Sequence, residues 1–189
     1  LKVLLFPILD IRRRKPLEWR GTLKPKDWHH WWRSYQSFIL HYAKLAARSK
    51  AEALCVGSEL VTTETMRKQW ARLIKKVRRI YPGRLIYSAN WDHYKQVTFW
   101  DLVDLAGLTA YYQLTRDKKA TEQQMTDSWI KVRNKLVKWA GKKKMRFVFT
   151  EVGYPSMDGC AVQPWDYTVS APVDLEEQRR AVSAFTRAW

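Results

Sequence analysis

Two glutamates stand where a carboxylate is costly unless something uses it. The stretch Phe147-Val-Phe-Thr-Glu-Val-Gly-Tyr-Pro-Ser156 is an apolar run that meets one acid, Glu151, just before Gly153 and Pro155. β-Forming residues bounded by glycine and proline predict a buried strand, and a charge at the C-terminal end of such a strand carries a desolvation cost. A second run, Ala53-Leu-Cys-Val-Gly-Ser-Glu-Leu60, repeats the design and is apolar until Glu59. A single glutamate of this kind reads best as a surface or salt-bridged residue. Two at matched strand ends point to paired-carboxylate chemistry.

The elements that must carry these acids alternate. Lys2 to Leu9 reads as a first strand, and Asp10 to Pro16 as the loop leaving it. Asp27 is placed to cap a long helix whose Trp28, Trp31, Trp32, Tyr35, Phe38, Ile39, Tyr42 and Leu45 recur at helical spacing and predict its buried face. After the strand Ala53–Leu60 comes a helix from about Thr63 to Ile80, with Met66, Trp70, Leu73, Ile74 and Val77 on one side and Pro82-Gly83 behind it. Strands follow at Arg84–Trp91 and Leu105–Gln113, joined by a short helical connection through Val97 to Val103. A helix from Thr121 to Lys143 leads to the strand of Glu151. A long loop through Trp165 then reaches a last helix, where Asp174 and Glu177 are spaced as a capping box.

Strands alternating with helices imply parallel pairing through crossovers, hence an α/β fold. No glycine-rich phosphate loop follows any strand, and functional-looking residues recur at several strand C-termini. That distribution fits a (β/α)8 TIM barrel, whose active site gathers at that face. Such a barrel needs about 250 residues, so 189 residues would hold about five of its eight units. The chain opens inside an apparent strand without Met and stops at Trp189 inside an apparent helix. The expectation is therefore one domain over residues 1–189, truncated at both ends, with localisation left open.

The hydrophobic content of 46% argues for a packed core, and the longest apolar runs are strand-sized, so no membrane span is expected. Cys55 reads as a small buried residue and Cys160 as a loop residue, a pair that supports neither a disulfide framework nor a metal site. His29, His30, His41 and His93 make no ligand spacing with cysteine or carboxylate, so neither metal nor cofactor is expected. The net charge of +17 raises a polyanion as partner. Most of the basic clusters, Arg48–Lys50, Lys75–Arg79 and Lys142–Lys144, nevertheless fall at helix C-termini, where cations complement the dipole. Only Arg12-Arg-Arg-Lys15 lies by the presumed cleft, a hint of an acidic substrate. Nucleic acid would want a continuous basic stripe with aromatics between the charges.

The motifs Gly57-Ser-Glu-Leu60, Ser88-Ala-Asn-Trp-Asp92, Gly107-Leu-Thr-Ala-Tyr-Tyr112 and Phe149-Thr-Glu-Val-Gly-Tyr154, with Pro164-Trp165 beyond, resemble glycoside hydrolase family 113. The resemblance runs over nearly the whole chain and corresponds to strands three to seven of a clan A (β/α)8 barrel. It implies a retaining β-mannanase, with a polysaccharide or oligosaccharide as partner, Glu59 as acid/base and Glu151 as nucleophile. Retaining hydrolysis needs carboxyls about 5 to 5.5 Å apart, one protonated toward the leaving oxygen and one ionised toward the anomeric carbon. Glutamates at the same ends of strands three apart in a closed eight-stranded barrel meet that demand. Relatives in the clan place Asn before the acid/base; here Ser58 stands there, as in family 113, and Asn90 is a candidate for the missing amide. Asn90 reads equally well as a turn residue serving its own backbone.

Aromatics at the strand ends complete the expected site. Trp28, Trp31, Trp32, Trp70 and Trp129 lie on helical stripes and read as core. Trp91 and Trp165 are candidate sugar platforms, Tyr111 a hydroxyl donor to the nucleophile, and Tyr154 a further substrate contact. Strand alternation turns only one of Tyr111 and Tyr112 inward, and the reversed order is the alternative. Asp10 and Arg12 end the first strand and are candidates for sugar hydroxyls, although a loop salt bridge is the commoner role for such residues. The competing readings are a glycan-binding barrel without turnover, a glycosidase of another or acidic glycan, and a basic nucleic-acid binder.

Overall fold

The computed structural model describes residues 2–13, 15, 18–166 and 168–189. Asp27 starts the first long helix by accepting from the amides of His29 at 2.7 Å and His30 at 3.1 Å, the N-cap role its position predicts. The elements run β1 (Leu4–Leu5), α1 (Trp28–Arg48), β2 (Ala53–Ser58), α2 (Arg67–Arg78), β3 (Arg84–Asn90), β4 (Leu105–Ala110), α3 (Glu122–Lys143), β5 (Phe147–Val152) and α4 (Leu175–Ala188). The strands form one sheet in the order β1-β2-β3-β4-β5, and the β1–β2 and β2–β3 pairs are parallel. Sequential order with intervening helices is the α/β pattern expected. The connection between β3 and β4 is the exception, carrying only a 3₁₀ turn at Trp100–Leu102.

Two compact units divide the chain: Leu1–Leu108 with Arg146–Val148, and Thr109–Met145 with Phe149–Trp189. Trp70 is the centre of the first. Its buried ring stacks on Phe99 with centroids 4.6 Å apart and meets Trp32, Tyr87 and Tyr35 edge-on. α1 reaches this core through Tyr35, Ile39, Ala43 and Ala46. Trp28, Trp31 and Trp32, expected inside, are only half-buried. They occupy the first turns of the helix and meet one another edge-on, with Trp31 stacked on Tyr35, while the buried residues of the later turns are the small Ala43 and Ala46.

The second unit centres on Trp129, whose buried ring meets Tyr112, Phe149 and Phe185. Thr121 and Gln124 form a reciprocal capping box at the start of α3. At α4 the expected box is only half made. Asp174 accepts from the amide of Glu177 at 2.8 Å, but the Glu177 side chain turns away and serves the preceding loop.

Three other expectations change. β1 has two residues instead of eight, and Pro7 just beyond it has no N–H to give a ladder. β5 is half-buried instead of buried, since it is the last strand of the sheet. α2 begins at Arg67, not Thr63, because Val61–Thr63 form a 3₁₀ turn closed by the Thr63 hydroxyl on the Leu60 carbonyl at 2.7 Å.

Candidate functional site

Glu59 owes its position to an irregularity in β2. Cys55 pairs with Ile86 but Ser58 pairs with Ser88, so β2 carries one residue more than β3 over this stretch. Such bulges bend a strand end and re-aim its side chains. Gly57 lies within it, because a Cβ there would come within 2.7 Å of the Trp70 ring and 2.9 Å of the Tyr35 hydroxyl. Glu59 then adopts φ +53°, a left-handed conformation that costs a residue with a side chain. Its amide donates to the Ser88 carbonyl at 2.8 Å, the next amide, Leu60, donates to the Tyr87 hydroxyl at 3.1 Å, and Arg20 Nη2 lies 2.7 Å from Glu59 Oε2. Glu59 is 7% exposed.

A second acid lies beside this turn. Glu64 is 1% exposed, and its Oε1 accepts from the Tyr87 hydroxyl at 2.8 Å. Burial pushes its pKa up to about 7, against the lowering pull of the Tyr87 hydrogen bond. Its carbonyl takes both the amide and the hydroxyl of Thr98.

The remaining candidates of the first unit fall around β2, β3 and the first loop. Ser58 is buried, and its hydroxyl has no hydrogen-bond partner among the described residues. Asn90 Oδ1 accepts from the Trp91 amide at 2.9 Å, a turn contact with its own backbone, and Trp91 is half-buried. Asp10 and Arg12 are exposed, and Asp10 Oδ1 accepts from the neighbouring Ile11 amide. Arg14 of the basic cluster, like Pro16 of the loop, lies outside the described residues.

In the second unit Glu151 is half-buried near the end of β5, and the Tyr111 hydroxyl donates to its Oε2 at 2.8 Å. Gly153 lies against the same ring, 3.3 Å from Tyr111 Cε1 if a Cβ is placed on it. Tyr112 turns the other way, into Trp129, so the alternation runs Tyr111 to the acid and Tyr112 to the core. Tyr154 is 4% exposed, and its hydroxyl donates to the Tyr112 carbonyl at 3.3 Å. Trp165 is 39% exposed in the loop before α4. That loop is tied down by Glu177, whose buried carboxylate accepts from the amides of Gly159 at 2.7 Å and Ala161 at 3.0 Å.

Asp158, Asp174 and Glu177 bring carboxylate oxygens within 4.8 Å of one another. Each is already engaged, Asp158 by Lys118, Asp174 at the helix cap and Glu177 in the loop. Cys55 and Cys160 are buried free thiols, and burial pushes Cys160 up to about 12, which leaves no nucleophilic thiolate there. No helix among the described residues is long and apolar enough to cross a membrane.

Arg20, Glu64 and Tyr87 were not legible as site residues. Tyr87 gave the one usable signal, a phenol inside an apolar strand that must find a partner for its hydroxyl.

The family model of glycoside hydrolase family 113 matches residues 1–189. This chain belongs to glycoside hydrolase family 113. The family 113 β-mannanase AaManA from Alicyclobacillus acidocaldarius, solved in complex with ManMIm, is similar over 100% of the chain at 33% identity and a TM-score of 0.86. A second family 113 β-1,4-mannanase, also solved as a complex, is similar at 26% identity and a TM-score of 0.84. The family 113 chain spans 58% and 59% of these two structures. Together they identify its fold as an incomplete (β/α)8 barrel. A β-glucuronidase from Ruminococcus gnavus in complex with D-glucuronic acid matches 81% of the chain and 27% of its own length, at 15% identity and a TM-score of 0.57, which speaks to the fold alone. No curated protein sequence matches.

Proposed function

We propose that this protein is a retaining glycoside hydrolase of β-linked polysaccharide, most specifically an endo-β-1,4-mannanase, with Glu59 as acid/base and Glu151 as nucleophile. The observation that carries the reading is membership of family 113 over residues 1–189, in company with β-mannanases. In the reaction, ionised Glu151 attacks the anomeric carbon as Glu59 gives its proton to the leaving oxygen. Glu59 then takes a proton from water, and that water releases the sugar from Glu151. Arg20 faces the ionised form of Glu59, the state that must receive this proton, and the Tyr111 hydroxyl fixes the orientation of the Glu151 carboxylate.

Asn90, Trp91, Trp165 and Ser58 are the proposed sugar contacts, with Asp10 and Arg12 at the outer edge. Exposed Trp165 and half-buried Trp91 are the side chains that support a stacking role.

Hydrolysis of defined β-1,4-manno-oligosaccharides, with the anomer of the first product read by NMR, tests the proposal. Retained configuration, lost in Glu59→Gln and Glu151→Gln, is the expected result. Binding without turnover would instead favour a glycan-binding barrel. Turnover of an acidic glycan in place of mannan would move the specificity to the exposed basic loop of Arg12 and Arg13.

A further inference from the structure

Glu64 is a buried acid for which hydrolysis as proposed above has no step. It shares one hydroxyl with the turn that carries Glu59. The Tyr87 hydroxyl has a single proton, and that proton goes to Glu64 Oε1 at 2.8 Å. The oxygen's lone pair is thereby left facing the Leu60 amide, which donates to it at 3.1 Å.

Leu60 follows Glu59 directly, so the direction of its N–H is set by the Glu59 backbone. That backbone sits at φ +53°, a conformation that persists only where its surroundings over-determine it. Two contacts do so here. Glu59 N–H is held by Ser88, which fixes the entry to the turn, and Leu60 N–H is held by Tyr87, which fixes its exit.

We infer that Glu64 is a positioning residue for Glu59: it orients the Tyr87 hydroxyl, which holds the Leu60 amide and with it the left-handed turn that aims the Glu59 carboxylate. The inference rests on the reading of Glu59 as acid/base. Several neighbours share the charge balance at Glu64. Tyr87 faces it from β3, Asp92 and His93 from the loop after β3, and Glu59 from the end of β2; His93 favours its charged form, whereas Asp92 and Glu59 oppose it. Its Oε2 is buried with no hydrogen-bond partner among the described residues, so ionisation there goes uncompensated.

An NMR titration of the Leu60 amide in the whole chain tests this without any substrate. The amide is expected to shift with a midpoint close to that of Glu64, and the shift is expected to vanish in Glu64→Gln and in Tyr87→Phe. A Leu60 amide that does not titrate in the parent protein, or titrates unchanged in Glu64→Gln, overturns the inference. Where hydrolysis is measured, Tyr87→Phe and Glu64→Ala should lower kcat by about ten-fold or more while KM changes little. Glu64→Gln, whose amide oxygen still accepts from Tyr87, should recover much of that loss; equal kcat in Glu64→Gln and Glu64→Ala would also overturn it. Absence of any hydrolysis by the parent protein would sink the enzymatic reading, and the Leu60 titration would still decide whether Glu64 holds the turn.

Discussion

Tyr111 donates its hydroxyl to Oε2 of Glu151 at 2.8 Å, and both residues belong to the second compact unit of the chain. A donor held at this distance fixes the rotamer of the carboxylate. Removing the hydroxyl in Tyr111→Phe deletes one hydrogen bond to a charged group, worth about 1.5 to 3 kcal/mol. The expected outcome is a fall in kcat/KM on manno-oligosaccharides of about 10- to 100-fold, in a protein that keeps the far-UV circular dichroism of the parent. An activity within two-fold of the parent's would remove Tyr111 from the site.

Gly57 is required by close approach. In Gly57→Ala the new methyl would lie 2.7 Å from the Trp70 ring and 2.9 Å from the Tyr35 hydroxyl, which donates to the Val56 carbonyl at 2.8 Å. Trp70 cannot retreat, since it is fully buried and stacked on Phe99. Overpacking of this kind costs about 1 to 3 kcal/mol. Urea unfolding should show that loss, together with reduced activity out of proportion to the unfolded fraction, because the bulge that aims Glu59 must shift.

The frame around these residues was legible where a local pattern forces one answer. The apolar run before Glu59, the Asp27 cap and the Thr121 helix start are each decided by neighbours in sequence. What failed to show depends on partners far along the chain. Arg20 reads as one more cation among 35 basic residues until folding sets it 2.7 Å from Glu59. Glu177 reads as a capping-box residue, yet two amides of the preceding loop outbid the cap for its carboxylate. Tyr154 sits at a strand end like a sugar contact, and only the fold shows its hydroxyl on the Tyr112 carbonyl. Pattern locates strand ends; it does not say which side of the end a ring will face.

Glu64 gives stability a pH dependence with a definite sign. Its folded-state pKa of about 7 lies above the ordinary 4.5, so the fold holds a proton that the unfolded chain has already released between those values. The folded state binds more protons there, and its stability falls as pH rises through that window. The contribution is fully present below the lower value and lost above the higher one, on the order of 3 kcal/mol across the whole range. Urea titrations at pH 5 and pH 8 should therefore show Glu64→Gln gaining on the parent protein at the higher pH. Parallel stability curves for the two proteins would place the Glu64 proton elsewhere.

Glu177 governs the loop that carries Trp165. Both carboxylate oxygens are spent on backbone amides, at Gly159 and Ala161, and the residue is fully buried. Glu177→Gln keeps one acceptor but sets an NH2 group against the other N–H, leaving a buried donor unsatisfied at about 1 to 3 kcal/mol. Glu177→Ala leaves two. The loop between β5 and α4 should become sensitive to limited proteolysis in the order Ala, Gln, parent, while α4 keeps its Asp174 cap. If exposed Trp165 serves as a sugar platform, the same variants should raise KM for longer manno-oligosaccharides more than they lower kcat, since the acid at Glu151 and its Tyr111 partner are untouched. A loss confined to kcat would instead tie this loop to the chemical step.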